Sequence, residues 1–190
     1  MTLFINACVR KNSRTERLAK CLLGKLEQKD GPLTEVRLAS LDFPVADGAF
    51  LERRDSLLSN GALQDPLFDL AHQFAAADRI VIAAPYWDLS FPAALKQYLE
   101  QVNVVGITFR YSPEGIPVGL CRAKELWYVT TAGGPYVPHD FGFGYVKALA
   151  ESYYGIPDVR LVKAEGLDIV GADAEKILKE AEEKIQNIYI

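Results

Sequence analysis

Short apolar runs alternate along this chain with segments that are apolar on one face only. Runs of apolar or alternating residues predict five strands, at 3–6, 33–39, 79–85, 125–134 and 159–167. Apolar residues at helical spacing predict helices at 13–27, 52–59, 66–77, 145–154 and 173–188. One more helix is expected after Ser90, which we predict to be its cap. Strands that alternate with helices in this way are typical of βαβ units.

This order of elements predicts an α/β fold with a mostly parallel sheet and helices on both faces. The length of 190 residues fits one domain, 1–190. Five strands favour a flavodoxin-like, doubly wound sheet with the strand order 2-1-3-4-5. In such sheets, ligands bind beyond the carboxyl ends of the strands. That rule selects the loops after the first, third and fourth strands as candidate ligand contacts.

Composition narrows the classes of function. The net charge of -4, without a basic stripe, argues against nucleic-acid binding. No apolar run reaches ~18 residues, so no membrane span is expected. Three cysteines without CxxC spacing and two distant histidines predict neither a disulfide framework nor a metal site. A reducing cytoplasm is therefore the expected compartment. No GxSxG motif indicates a serine hydrolase.

The loop after the first strand combines positive charge with hydroxyl groups at the start of a helix. Arg10 and Lys11 precede Ser13, and Thr15 follows in the first turn. A helix N-terminus binds anions well, because its N–H groups are free. Two interpretations stay open: a phosphate site, or Ser13 as a helix cap beside solvated basic residues. Because neither GxGxxG nor GxxxxGK[ST] occurs, a monophosphate fits this loop better than a dinucleotide.

The other two loops carry aromatic residues and glycines. Tyr86 and Trp87 follow Pro85 at the end of the third strand, and the backbone N–H groups of 87–89 are expected to face a flat heterocycle. A diglycine, 133–134, follows the fourth strand and lets the backbone approach a planar ligand closely. The alternatives are that the aromatic residues fill space beneath the loop and that the glycines form a plain surface turn.

Several segments carry a resemblance to a known family, in the same order and at the same spacing. They are "APYWDLSFPAALKQYLEQV" (84–102), "GITFRYSPEG" (106–115), "VTTAGG" (129–134) and "YYGIPDVRLVKAEGL" (153–167). The chain resembles the flavodoxin-fold NAD(P)H:quinone reductases, most closely the bacterial FMN-dependent NADH-azoreductases. The resemblance implies FMN as cofactor and NADH or NADPH as electron donor. It also implies a homodimer with the active site at its interface, and two-electron, ping-pong reduction of quinones or azo compounds.

The resemblance also assigns residues. It places the FMN phosphate at Arg10, Ser13 and Thr15. It places the isoalloxazine ring at residues of the second and third loops, namely Pro85, Tyr86, Trp87, Asp88, Leu89, Thr131, Gly133 and Gly134. Tyr136 and Tyr111 are the candidate catalytic residues, each as a hydrogen-bond donor to a quinone oxygen, with water as the alternative proton source. Tyr111, like Phe109, matches positions that reach the site from the partner chain.

Two departures from the family pattern bear on substrate choice. Asp88 and Leu89 stand where the family commonly has Asn-Phe, and Ala132 and Tyr136 stand where it often has a polar side chain and a His. A carboxylate of Asp88 near flavin N5 would lower the flavin's potential; the alternative is that it points into solvent or to a helix N-terminus.

Two other functions remain alternatives. One is a flavodoxin-type electron carrier without a substrate of its own, and the other is a flavin-free domain that kept the fold. The net charge of only -4 and the apolar, aromatic segment 101–122 favour the dimeric reductase.

Overall fold

The computed structural model of the protein describes residues 1–26 and 32–189. The strands are β1 (Thr2–Asn6), β2 (Leu33–Arg37), β3 (Arg79–Ala83), β4 (Phe109–Tyr111), β5 (Pro117–Gly119), β6 (Glu125–Thr131) and β7 (Asp158–Ala164). The α-helices are α1 (Arg14–Leu26), α2 (Gly48–Ser59), α3 (Asp69–Ala76), α4 (Ala93–Val102), α5 (Phe143–Leu149) and α6 (Ala174–Gln186). Five strands form one sheet in the order β2-β1-β3-β6-β7, and every neighbouring pair is parallel. The predicted flavodoxin-like order is confirmed, since the extra strands β4 and β5 form a separate hairpin.

Alternate residues of the central strands feed two cores, one on each face of the sheet. Ile80 and Ile82 of β3 pack with residues of α3, α4 and α5, whereas Val81 packs with residues of α1 and α6. This alternation follows from the period of two in a strand, so a strand covered on both faces is apolar throughout. A third, smaller cluster under α2 contains Phe68 and Val104.

Several predicted elements have different ends in the structure. The strand predicted at 33–39 ends at Arg37 and continues as a 3₁₀ turn, Leu38–Ser40. A 3₁₀ turn, Pro66–Phe68, precedes α3, because the Asp65 carboxylate accepts the N–H of Leu67 there. The segment predicted as one helix at 145–154 is α5 followed by a π-helical turn, Ala150–Tyr154. The predicted end of the first helix, at Glu27, lies outside the described residues.

The predicted Ser90 cap is wrong. Helix α4 begins at Ala93, with Pro92 at the capping position and no side-chain capping bond. The Ser90 hydroxyl donates instead to the carbonyl oxygen of Phe141, at 2.7 Å. Ser90 therefore joins the second loop to the third rather than starting a helix.

The β4–β5 hairpin was not predicted, because its two strands have three residues each and carry no clear alternation. Buried Thr108 holds it to the end of α4: its hydroxyl donates to the carbonyl of Val102, at 2.7 Å, and accepts from the N–H of Val104, at 3.1 Å. Gly119 of β5 lies against the backbone of Tyr154 and Gly155. The hairpin is thus fixed to the rest of the fold at both strands.

Within the described residues, none of the helices has both the length and the apolar character needed to cross a membrane. The three cysteines, Cys8, Cys21 and Cys121, are all free thiols.

Candidate active site

One cleft of about 200 Å³ lies beyond the carboxyl ends of β1, β3 and β6. It is lined by Val9, Arg10, Asn12, Ser13, Arg14, Thr15, Pro85, Tyr86, Trp87, Thr131, Gly133 and Asp168. The structure thus brings together residues of all three predicted loops. Asp88, Leu89 and Gly134 belong to the same loops but do not line the cleft, and neither do the two candidate catalytic tyrosines.

The first loop is held by buried polar groups on both sides. The side-chain oxygen of Asn6 accepts the N–H of Cys8, at 3.0 Å, and its amide nitrogen donates to Glu35, at 2.9 Å. The carboxylate of Glu16, in α1, pairs with Lys20 of the same helix and with Arg37 of β2. The hydrogen bond from Arg37 lowers the pKa of Glu16 to about 2. The loop therefore has a fixed start and a fixed end.

Ser13 serves as the cap of α1, since its Oγ accepts the N–H of Glu16 at 3.2 Å. This confirms the capping interpretation, and the cap does not use the hydroxyl proton of Ser13, for which the Cys8 side chain competes with a ligand. The remaining N–H groups of the first turn have no intrahelical partner. Arg10 lines the cleft beside them. Cap and anion site are thus compatible.

Cys8, close to this loop, has a pKa raised to about 11 by burial. At neutral pH it is a protonated thiol, and we assign it a packing role.

Thr15 and Thr131 join the start of α1 to the end of β6. Their hydroxyl oxygens are 2.6 Å apart, and both residues are buried. One hydroxyl donates to the other, so a single hydroxyl proton of the pair remains for a ligand.

The second loop is a tight, strained turn. Trp87 and Ser90 exchange two backbone hydrogen bonds, at 3.1 Å and 2.7 Å. Between them, Asp88 and Leu89 have φ values of 49° and 67°, as in a type I′ turn. A left-handed conformation is uncommon for a leucine and costs ~1 kcal/mol. Such strain marks a backbone held in place by its surroundings.

This turn corrects one prediction. The Trp87 N–H was expected to face a ligand, but it donates to the carbonyl of Ser90. The N–H groups of Asp88 and Leu89 donate to no acceptor among the described residues, and the same holds for Gly133 and Gly134. Four backbone donors of the second and third loops are therefore unpaired among the described residues, and one of them, that of Gly133, lines the cleft.

Tyr86 presents a buried hydroxyl that has no hydrogen-bond partner within residues 1–26 and 32–189. Burial raises the pKa of Tyr86, and the nearby Tyr136 and Glu165 raise it further. An orphaned donor in a cleft wall favours a ligand with an acceptor there, because an unpaired buried polar group is costly.

The two candidate catalytic tyrosines lie in different places. Tyr136 is 80% exposed and close enough to Tyr86 to affect its pKa. Tyr111 is on β4, where a hydrogen bond with Tyr153 raises the pKa of Tyr111. Tyr111 therefore contacts its own chain and is not among the residues that line the cleft.

Asp168 lines the cleft and was not predicted. Its carboxylate accepts two hydrogen bonds from Arg14, at 2.8 Å and 3.1 Å, and its N–H donates to Gly133. The sequence could have indicated it, because Asp168 follows the fifth predicted strand, whose carboxyl end lies at the same edge of the sheet. The loop after that strand was not among the three candidate loops. Asp168 also explains why position 133 is a glycine, which was predicted to let the backbone approach a ligand. A Cβ there would lie 2.3 Å from Oδ2 of Asp168. The absence of a side chain at Gly133 therefore leaves space for the Asp168 carboxylate.

Taken together, these groups suit a planar ligand that carries an anion. The first loop offers positive charge, a hydroxyl and a helix N-terminus. The other two loops offer aromatic surface, free backbone N–H groups and a buried phenol. No cluster of metal-binding side chains occurs among the described residues.

Comparisons with known proteins agree with this description. A family model described as "Flavodoxin-like fold" matches residues 1–188. An FMN-dependent NADH:quinone oxidoreductase of Clostridium beijerinckii is 35% identical, over 94% of this chain and 91% of that protein. One from Clostridium perfringens is 34% identical, over 96% of this chain and 94% of that protein.

Solved structures show the same fold. An azoreductase from Bacillus anthracis superposes with a TM-score of 0.84 at 23% identity, covering 98% of this chain and 96% of that one. An FMN-dependent NADH-azoreductase from the same species, in complex with FMN, gives a TM-score of 0.79 at 23% identity, over 98% and 95% of the two chains.

Proposed function

Because this chain belongs to the flavodoxin-like family and is an oxidoreductase related at 34–35% identity to FMN-dependent NADH:quinone oxidoreductases, we propose that it reduces quinones or azo compounds with electrons from NADH or NADPH. The observation that carries the proposal is the single cleft into which three loops bring cations, aromatic rings and free backbone donors.

The residues present fit FMN. Arg10, Ser13 and the N-terminus of α1 would hold the phosphate, because they offer positive charge and free donors. Pro85, Tyr86 and Trp87 would flank the ring on one side, and Thr131 with the two glycines on the other. When bound, the flavin supplies the hydride chemistry, and the protein supplies position and electrostatics.

The protein groups have three tasks in this proposal. The strained turn presents the N–H groups of Asp88 and Leu89 as hydrogen-bond donors. Trp87, which lines the cleft and is 41% exposed, would cover one face of a flat molecule bound there. Tyr136, or Tyr111 from a partner, donates a hydrogen bond to a quinone oxygen, with water as the alternative. Because donor and acceptor take the same place in turn, the cycle is ping-pong.

A homodimer is part of the proposal. Exposed apolar residues surround the cleft mouth and the hairpin: Trp87, Leu89, Tyr111, Ile116, Tyr136 and Phe141. Surface of this kind favours a protein partner, and a second copy would bring its β4–β5 hairpin to the cleft. Sedimentation should show a dimer; a monomer at micromolar concentration would contradict this part. The free cysteines suit a reducing cytoplasm, where we propose that the enzyme works.

Initial rates test the reaction. With NADH and benzoquinone varied together, double-reciprocal plots should give parallel lines. Intersecting lines would contradict the ping-pong cycle, and no reduction of benzoquinone or of an azo dye would contradict the proposed activity. The same assay with NADPH decides between the two donors.

Asp88 tests the tuning of the flavin. The side chain is exposed, so its charge acts through solvent and its effect is small. Asp88→Asn should raise the midpoint potential of bound FMN, because a negative charge near the ring disfavours added electrons. An unchanged potential would show that the carboxylate points away from the ring.

A further inference from the structure

The cleft contains its own anion, directly beside the cations that a phosphate would need. Arg14 donates from Nη1 to Oδ1 of Asp168 at 2.8 Å and from Nη2 to Oδ2 at 3.1 Å. A third bond runs from Nη1 to the carbonyl of Leu167, at 3.3 Å. The outer face of the guanidinium is thus used by a planar carboxylate, in the geometry with which arginine also binds phosphate.

Asp168 is held in this place by its own backbone and by the third loop. Its N–H donates to the carbonyl of Gly133 at 2.9 Å, and the N–H of Leu167 donates to Ala132 at 3.2 Å. The carboxylate lies over the Cα of Gly133, where any larger residue would displace it. Asp168 is therefore a built part of the cleft wall and not a freely moving surface residue.

The charges around Asp168 are Arg14 and Arg10, and Arg10 is a residue assigned to the phosphate. Arg14 and Asp168 line the same cleft as Arg10 and Ser13. The hydrogen bond from Arg14 lowers the pKa of Asp168, and the positive charge of Arg10 contributes as well. The carboxylate is consequently ionised at neutral pH and shares its cations with any incoming phosphate.

We propose that Asp168 sets the affinity of the cleft for the phosphate group of the flavin by competing for Arg14. This inference rests on the proposed function, in which the first loop binds a phosphomonoester. With Asp168 in place, Arg14 stays on the cleft wall and does not reach the phosphate. The penalty falls on the phosphate alone, so FMN is affected and a flavin without phosphate is not.

Asp168→Asn tests this with little change in shape, because Asn keeps the size and one acceptor for Arg14. We expect the variant to bind FMN about 10-fold more tightly, because the released Arg14 gains a charge-assisted hydrogen bond to the phosphate. The affinity for riboflavin, which lacks the phosphate, should change less than about 2-fold on the same reasoning. Inorganic phosphate alone should raise the melting temperature of the variant more than that of the wild type. Glu180→Gln, on the exposed face of α6, removes an equal charge outside the cleft and should leave all three measurements unchanged.

The double variant Asp168→Asn, Arg14→Ala identifies the released cation. If Arg14 is the group that Asp168 restrains, the gain in FMN affinity disappears in the double variant. A gain that persists there would overturn competition for Arg14. Equal weakening of FMN and riboflavin by Asp168→Asn would assign Asp168 a purely structural role, and an unchanged FMN affinity would also overturn the proposal. If the wild type binds neither flavin, the proposed function itself fails, which is a separate result.

Discussion

The two neighbouring glycines of the third loop differ in the space around them. A methyl group added at Gly133 would collide with Asp168, whereas a methyl group added at Gly134 would meet no other atom. At Gly133 the new Cβ would lie 2.3 Å from Oδ2 of Asp168, 3.0 Å from its Cγ and 3.1 Å from its Cβ. At Gly134 it would meet nothing within 4 Å. Neither glycine has a positive φ, so an alanine suits the backbone at both positions. The two substitutions therefore differ in one contact.

The cost of Gly133→Ala follows from what must move. The backbone bond between Asp168 and Gly133 resists separation of the two loops, so the Asp168 side chain has to rotate and leave Arg14. That ion pair has side chains 32% and 63% exposed, so it contributes ~0.2–1 kcal/mol. Overpacking adds ~1–2 kcal/mol. We expect the free energy of unfolding to fall by about 1–3 kcal/mol in total.

Urea unfolding of the two variants beside the wild type measures this difference. Gly134→Ala should stay within ~0.5 kcal/mol of the wild type. In a chain of this length, each kcal/mol corresponds to roughly 2–4 °C in melting temperature, so thermal unfolding gives a second reading. Equal stability of the two variants would refute the steric reasoning about Asp168. Loss of stability in Gly134→Ala alone would show that the loop packs differently.

Three further substitutions and one matched control follow from single structural features, and urea unfolding measures each one. Gly119→Ala should cost about 3 kcal/mol or more, because its Cβ would lie 2.2 Å from the backbone nitrogen of Gly155; a mild effect would mean that the hairpin can shift. The matched change Gly24→Ala, in the last turn of α1 with nothing within 4 Å, should instead stabilise by ~0.5–1 kcal/mol. Tyr98→Phe removes a buried hydroxyl without a partner among the described residues and should stabilise by about 1 kcal/mol; a clear loss would reveal a hidden partner. Leu89→Asn should stabilise by ~0.5–1 kcal/mol, because asparagine tolerates the φ of 67° better than leucine; destabilisation would show that the leucine side chain packs on the loop.

The sheet was predictable because its signals are local. The strands β3 and β6 are short apolar runs, and the amphipathic α1 and α6 carry apolar residues at helical spacing. Together with the alternation of elements, these signals define a parallel sheet and its ligand-binding edge. The three loops followed from that edge, and the cleft unites them.

The details that escaped prediction depend on contacts between distant residues. Asp168 is 154 positions from Arg14, and no spacing rule connects them. Ser90 lies just before a helix, where a cap is expected, but its hydroxyl donates to the carbonyl oxygen of Phe141. The left-handed turn at Asp88 and Leu89 contains no glycine, the residue that usually indicates such a turn in a sequence. In each case a tertiary contact decides the outcome, and the local sequence is typical of something else.

An anaerobic titration followed by visible spectroscopy tests the flavin cleft most directly. The purified protein is saturated with FMN, freed of unbound flavin, and mixed with NADH, and benzoquinone is added last. We predict a bound-flavin spectrum that bleaches fully with NADH and recovers with benzoquinone. FMN that stays coloured with NADH and NADPH and is reduced only by dithionite would instead indicate an electron carrier. A protein that retains no FMN would contradict the assignment of the three loops to a flavin.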